Sequence, residues 1–297
     1  MLELRKLKSC TLEEAVQAWN EGFEGYAFDA TTTPDAFLKR MAAEELSSEL
    51  SFVAFQDGKP AGIILNGIRE TKEQKIGWNG GTGVAALYRG SGVGRSLIEA
   101  SLTFFREQGV QLATLEALSA NEKAIHLYLK AGYVQTDELE HLSLKGPAEP
   151  AVMPSKQATD TALKPFELVA VPPVQMAHIP FYKALNPWQT QWQSARDAAV
   201  VKDGTGDTIG YAYWKKIYQP GGEHAATILY QCEALPGHPE SVAILKQLIW
   251  HAFDGFRDAI NRSVPNLPKS ASALTGLVLK SMGFSPVVQQ VYMTKSL

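Results

Sequence analysis

Arg89-Gly90-Ser91-Gly92-Val93-Gly94-Arg95-Ser96 is the stretch on which the fold turns. Ile76 to Ala86 before it reads as a strand, loosened by Gly80, Gly81 and Gly83. After it, Leu97, Ile98, Leu102 and Phe105 recur at helical spacing until Gly109. A glycine-rich turn between strand and helix is suited to an anion. Without Cβ atoms the backbone can approach closely, and successive N–H groups can converge on one point. The helix adds its free first-turn N–H groups and the positive end of its dipole. Arg89 and Arg95 offer charge-assisted contacts to phosphate oxygens. A dinucleotide fingerprint needs G-x-G-x-x-G, but the third glycine here, Gly94, comes one residue early. A P-loop needs a Lys-Ser or Lys-Thr that is absent.

The surrounding elements give an α/β layer order. Thr11-Leu12-Glu13-Glu14 fits a capping box, opening a helix through about Tyr26. Thr33-Pro34-Asp35 opens a second helix through about Leu46. Ser51 to Phe55 and Ala61 to Arg69 read as strands about the Asp57-Gly58 turn. Leu112 to Leu118 is a further strand, Asn121 caps a helix ending at Gly132, and Tyr133 to Leu144 closes the half.

Two motifs then carry a resemblance. Val84-Ala85-Ala86-Leu87-Tyr88-Arg89-Gly90-Ser91-Gly92-Val93-Gly94 resembles the R-G-x-G-x-G/A acyl-CoA motif of the GNAT superfamily of acetyltransferases. Asn121-Glu122-Lys123-Ala124-Ile125-His126-Leu127-Tyr128-Leu129-Lys130-Ala131-Gly132-Tyr133 resembles its N-x-x-A-x-x-L-Y-x-x-x-G-[FY] motif, in the right order and spacing. The resemblance covers residues 1–145. It implies acetyl-CoA as cosubstrate, with Val84, Ala85 and Ala86 pairing to the pantetheine arm as an added strand would. Backbone groups from Arg89 through Gly94 would bind the pyrophosphate, flanked by Arg95 and Ser96. Asn121 would lie near the pantetheine or cap its helix, and Tyr128 would face the thioester sulfur.

Acetyl transfer to an amine poses two proton problems. An alkyl ammonium has a pKa near 10, so freeing its lone pair at pH 7 costs roughly 4–5 kcal/mol and calls for a base or a water chain. The departing thiolate, with a pKa of about 8.5, benefits from a proton donor. Spacing alone makes Tyr128 a core tyrosine, while the motif makes it that donor. The Val84 N–H is the family-like candidate for the developing oxyanion. For the base, Glu116 on the preceding strand, Glu24 near the end of the first helix, and water with no dedicated residue all stay open. Trp19, Phe23, Tyr26 and Phe28 are core by spacing, or else wall the acceptor pocket. The six histidines and two cysteines show no metal-ligand spacing, so no metal is expected.

A duplication organises the rest. Phe55-Gln56-Asp57-Gly58, Ala61-Gly62-Ile63 and Leu129-Lys130-Ala131-Gly132-Tyr133 each have a weaker echo, at Val201-Lys202-Asp203-Gly204, Ile209-Gly210-Tyr211 and Leu279-Lys280-Ser281-Met282-Gly283-Phe284. Their order is the same and their separation stays at about 150 residues. Gly146 to Pro154, with three prolines after Gly146, breaks the chain between the halves. The fold expected is α/β (α+β), with two tandem acyl-CoA N-acyltransferase-like domains. Each would be a mixed, mostly antiparallel central sheet flanked by helices. The catalytic domain would occupy 1–146, a linker 147–164, and a degenerate domain 165–297. In the second half the phosphate turn would fall at Leu235-Pro236-Gly237-His238-Pro239-Glu240-Ser241. There two prolines lack N–H groups, Glu240 opposes an anion, and Leu279 replaces Tyr128. That domain would pack on the first and shape its acceptor cleft in place of a homodimer partner, with Trp188 and Trp192, at helical spacing, facing the cleft or the core.

Composition bounds the partners. At 297 residues the chain allows two ordinary domains. A net charge of −3 with no long Lys/Arg cluster points away from nucleic acid and anionic membranes. No apolar run nears the roughly 18–20 residues of a membrane span, and Met1-Leu2-Glu3-Leu4-Arg5-Lys6 is unlike a secretory signal. A cytoplasmic monomer or weak homodimer acting on a small-molecule or peptide amine is expected. The alternatives are a non-catalytic acyl-CoA sensor or scaffold, or a nucleotide-binding protein.

Overall fold

A computed structural model describes residues 1–146 and 166–297; the linker expected at 147–164 lies outside them. The first half runs β1 (Leu2–Lys6), α1 (Leu12–Gly22), α2 (Pro34–Ala43), β2 (Phe52–Gln56), β3 (Lys59–Glu70), β4 (Lys75–Val84), α3 (Val93–Glu107), β5 (Leu112–Leu118), α4 (Glu122–Lys130) and β6 (Val134–Lys145). The second runs β7 (Glu167–Ala170), β8 (Asp197–Lys202), β9 (Thr208–Tyr218), β10 (His224–Ala234), α5 (Ser241–Ala252), β11 (Asn261–Pro268), α6 (Ala273–Ser281) and β12 (Ser285–Ser296). From β2 and from β8 onward the order is the same, strand-strand-strand-helix-strand-helix-strand. The repeat in the sequence is thus a repeat in structure. Among the described residues no helix is long and apolar enough to cross a membrane.

The chain forms two compact units, Met1–Thr136 with Val291–Leu297, and Asp137–Gln290. These bounds differ from the division expected near residue 146. Residues 137–146 of β6 belong to the second unit, where Arg262 and Val264 of β11 pair with Leu144 and Leu142. The end of β12 belongs to the first, where Val291 and Met293 enter its core. Strand pairing is a long-range choice that local patterning does not encode.

In unit 1 the strand order is β1-β2-β3-β4-β5-β12. β1 to β4 pair antiparallel and β4 pairs parallel with β5. The α3 residues Leu97, Ile98, Leu102 and Phe105 are buried against Ala54, Ile64, Ala113 and Leu115, the face their spacing indicated. Thr11 and Glu14 form the reciprocal capping box, at 3.1 and 2.8 Å. α1 stops at Gly22, four residues short of the expectation, since Gly25 at φ +71° turns the chain out of the helix; Gly22 itself lies against β4. A Cβ at Gly22 would stand 2.9 Å from the Gly83 backbone carbon. The β4 glycines admit this helix rather than loosening the strand. A Cβ at Gly83 would stand 2.8 Å from the Phe23 ring and 3.0 Å from the Gly22 carbonyl carbon. Gly83→Ala is therefore expected to destabilise unit 1 by about 1–3 kcal/mol through overpacking. Urea denaturation checks this as a lower midpoint with unchanged slope.

In unit 2 the order is β6-β11-β10-β9-β8-β7, with β10 and β11 parallel and the other neighbours antiparallel. Ile244, Leu245, Leu248 and Ile249 of α5 form its core with Ala199, Ile209 and Leu279. Where unit 1 has α1 and α2, unit 2 has short 3-10 turns. Trp188 and Trp192 begin two of them, so the helical spacing read from sequence is not realised. Gln191 between them is extended at ψ 160, which breaks any continuous helix.

Candidate active site

The site begins where two parallel strands part. β4 and β5 pair from Ile76↔Leu112 to Asn79↔Leu115 and no further. Beyond that point β4 runs on to Val84 and β5 to Leu118. The cause is local. The β3–β4 register shifts between Leu65 and Asn66, leaving Gly80 as an extra residue, and such a bulge bends its strand. Asn79 holds the bulge, accepting from the Gly81 N–H at 2.8 Å and donating to the Thr82 hydroxyl at 2.7 Å. Arg40 donates to the Gly80 carbonyl at 2.8 Å.

The parting exposes one edge of β4. Ala85 donates its N–H to the Ala61 carbonyl across β3 at 2.9 Å. Amides alternate sides along a strand, so the Val84 N–H faces the gap that β5 has left. Ala85 is buried and Ala86 opens the 3-10 turn that leads to the glycines.

The turn is built as the sequence suggested, with one change. Gly90 and Gly92 have φ of +81° and +98°, and among the described residues nothing lies within 4 Å of where their Cβ atoms would stand. Gly94 is there for packing, since a Cβ would stand 3.2 Å from Leu127 of α4. Ser91 is occupied locally, its hydroxyl donating to the Tyr88 carbonyl at 2.7 Å. Ser96 donates its N–H to the Gly92 carbonyl, and Val93 buries its side chain. Among the described residues no backbone carbonyl takes the N–H groups of Gly92, Val93, Gly94 or Arg95. That is the usual state of a helix start. The change concerns Arg89. Its guanidinium donates to the carbonyls of Val84, Glu24 and Gly22 at 2.9, 2.7 and 3.4 Å. It ties the electronegative end of α1 to the end of β4 instead of pointing at a phosphate. Arg95 makes an exposed pair with Glu99.

These pieces border one cleft of about 890 Å³. Gly90, Gly92, Gly94 and Arg95 line one part, Val84, Thr82 and Tyr128 another, and Phe23, Glu24 and Tyr26 a third. Tyr128 is buried, and burial pushes its hydroxyl up to about 12 against hydrogen bonding with Thr82 and Asn79. The charge of Glu116 acts in the same direction as burial, so that carboxylate lies near the phenol although it is not among the lining residues. Glu24 is exposed in the cleft wall. Asn121 lines the cleft and caps α4, accepting from the Ala124 N–H at 3.2 Å. The aromatic stretch divides. Trp19 is core, donating to the Ala30 carbonyl at 2.8 Å, while Phe23 and Tyr26 wall the cleft with rings 5.4 Å apart. Sequence reading missed Thr82 and Asn79, whose only signal was polar residues inside a glycine-rich strand. It also missed Lys123, His126 and Lys130, basic residues of α4 on the cleft. Among the described residues no three His, Cys, Asp or Glu side chains gather as a metal ion requires.

A mixed sheet whose central parallel strands part above a glycine turn and a helix N-terminus defines the acyl-CoA N-acyltransferase fold. Residues 12–133 match the acetyltransferase (GNAT) family, and the chain carries a domain of that family. Similar proteins include N-alpha-acetyltransferase MAK3 of Arabidopsis thaliana, 31% identical over 98 residues. That match covers 33% of this chain and 52% of the plant protein. Mycothiol acetyltransferase of Propionibacterium freudenreichii is 34% identical over 87 residues, covering 29% of this chain and 23% of the relative. The chain thus spans about half of the first relative and about a quarter of the second. Two solved structures share the fold over the full chain. A putative acetyltransferase from Pyrococcus horikoshii has a TM-score of 0.59 at 15% identity and is covered over 89% of its length. A tandem GNAT protein from the clavulanic acid biosynthesis pathway has a TM-score of 0.57 at 14% identity and is covered over 98%.

Proposed function

We propose that unit 1 is an N-acetyltransferase that moves an acetyl group from acetyl-CoA to a primary amine by direct attack in a ternary complex. One observation carries this reading. Open helix-start amides, a strand edge with a free N–H, and a buried tyrosine hydroxyl all border the same cleft. Acetyl-CoA would supply the activated acyl group. The amides of Gly92 to Arg95 would hold its diphosphate, and the Val84 edge would align its pantetheine arm. The Val84 N–H would stabilise negative charge on the acyl oxygen. Tyr128 would donate a hydrogen bond to the sulfur, and Glu116 would take the amine proton. Glu24, at the exposed rim, is the second candidate for that proton.

Unit 2 is inferred not to hold a second CoA by this route. The Leu235 N–H donates to the Ile209 carbonyl, matching Ala85 and Ala61, so its turn occupies the equivalent place. There Pro236 and Pro239 lack N–H groups, the Glu240 N–H is taken by the His238 ring and the Ser241 N–H by the His238 carbonyl. β10 and β11 also part, after Ile228↔Ser263, but the turn at Trp188–Thr190 packs against both strands. Its Thr190 carbonyl accepts from Tyr213 at 2.8 Å and Gln231 at 3.2 Å. Leu279 is fully buried in the core.

Calorimetry is expected to give one CoA per chain; two would overturn the inference for unit 2. CoA at 100 times its dissociation constant should stabilise the protein by about 2.7 kcal/mol in a thermal-shift assay, with ATP and NAD producing no comparable shift. An acetylation assay over amino acids, polyamines, aminoglycosides and peptide amines then tests the reaction. CoA binding with no turnover on any amine would favour a sensor.

A further inference from the structure

Val291–Leu297 belong to unit 1, where β12 neighbours β5. One hydrogen bond sets their register, since the Leu297 N–H donates to the Gln111 carbonyl at 3.0 Å. Gln111 directly precedes β5 and Leu297 directly follows β12. Strands meeting at those two ends lie side by side only if they run antiparallel. Counting inward from that bond sets Met293 opposite Leu115, Tyr292 opposite Glu116, and Val291 opposite Ala117. The core agrees, because Val291, Met293, Leu115 and Ala117 all lie in one buried cluster. Tyr292 and Glu116 therefore share the other face, where directly opposed Cβ atoms stand about 4.5–5.5 Å apart. Glu116 lies beyond Asn79↔Leu115, at the mouth where β4 and β5 have parted, and Tyr292 stands level with it on the strand that borders the other edge of β5.

We infer that Tyr292, which follows the whole of unit 2 in the sequence, is a positioning residue of the unit 1 site, its hydroxyl holding the Glu116 carboxylate ionised and oriented toward the acceptor amine. The inference rests on Glu116 serving as the base. Tyr292 is 7% exposed, and burial, aided by the Glu116 charge, keeps its hydroxyl protonated against the opposing charge of Arg69 and a side-chain hydrogen bond with Thr114. Among the described residues, Tyr128 from α4 and Arg69 from β3 are ionisable groups that also act on the pair.

The test uses the full chain. The carboxyl carbon of Glu116 is followed by NMR in protein labelled with ¹³C-glutamate, assigned by the signal missing in Glu116→Gln. In Tyr292→Phe the Glu116 midpoint is expected to rise by about one pH unit, the loss of one hydrogen bond to a charged group. The acid limb of kcat, measured on the amine turned over fastest in the panel, should move by the same amount with CoA affinity unchanged. Replacing Tyr292 by 3-fluorotyrosine, a stronger donor of nearly the same size, should lower the midpoint. It also provides a readout if the Phe variant folds poorly. Unchanged midpoints in both variants would overturn the inference while leaving the base assignment intact if Glu116→Gln is inactive. Full turnover by Glu116→Gln would instead sink the base assignment, and the positioning role with it.

Discussion

Gly92→Glu is expected to lower CoA affinity by about 1000-fold or more in calorimetry, with the protein still folded. Two unit charges about 4 Å apart repel by about 4 kcal/mol at the effective dielectric of a protein surface, which corresponds to roughly three decades in affinity. The introduced carboxylate would also accept the helix-start amides itself, as an N-cap does. Among the described residues nothing lies within 4 Å of the Gly92 Cβ position, so the new Cβ meets open space. The folded state bears only the left-handed backbone at φ +98°, a cost of about 1–2 kcal/mol for a residue with a Cβ. Gly92→Ala, which shares that strain and lacks the charge, separates the two effects. Wild-type affinity in Gly92→Glu would refute the cradle.

Tyr128→Phe is expected to reduce kcat by about 100- to 1000-fold, the loss of one preorganised donor, while CoA affinity changes little. The magnitude follows from the pKa of the hydroxyl. Held up to about 12 by burial, the phenol is a far weaker acid than a thiol near 8.5. Full proton transfer to the departing thiolate would run uphill by roughly 5 kcal/mol, so in the proposed reaction Tyr128 would act by donating a hydrogen bond and the proton would come ultimately from the amine. The same shift gives a pH prediction. Burial favours the neutral phenol, so its contribution to stability is intact below pH 10 and is lost as pH rises from 10 to about 12. Any alkaline fall in kcat well below pH 12 must come from another group. Equal rates for Tyr128→Phe and wild type would remove the tyrosine from the mechanism. Melting curves accompany this variant, because Thr82 and Asn79 lose a buried partner at about 1–3 kcal/mol.

Much of unit 1 was legible in the sequence because its signals are short-range. The Thr11 box, Thr33-Pro34, the Asn121 cap, the apolar face of α3 and the Leu112–Leu118 strand each depend on residues within a turn or two. Element ends were less legible. α1 ends before Tyr26, at a left-handed Gly25, and Gly22 meets Gly83, sixty-one positions away and invisible to local periodicity. Trp188 and Trp192 carried helical spacing, yet the extended Gln191 between them sets two separate turns. Arg89 stands in a phosphate motif, and only its distances to Val84 and Glu24 reveal a clamp on α1.

By itself the sequence determined the glycine turn, the helix that follows it, the repeated order of elements and the tyrosine opposite them. These features rest on backbone conformations and side-chain periods that neighbouring residues dictate. Tertiary structure alone decided where β4 leaves β5, which carbonyls occupy Arg89, and that Tyr292 stands across from Glu116. Each of those outcomes depends on strand register, and register is chosen by whichever pairing buries the apolar faces of distant segments together.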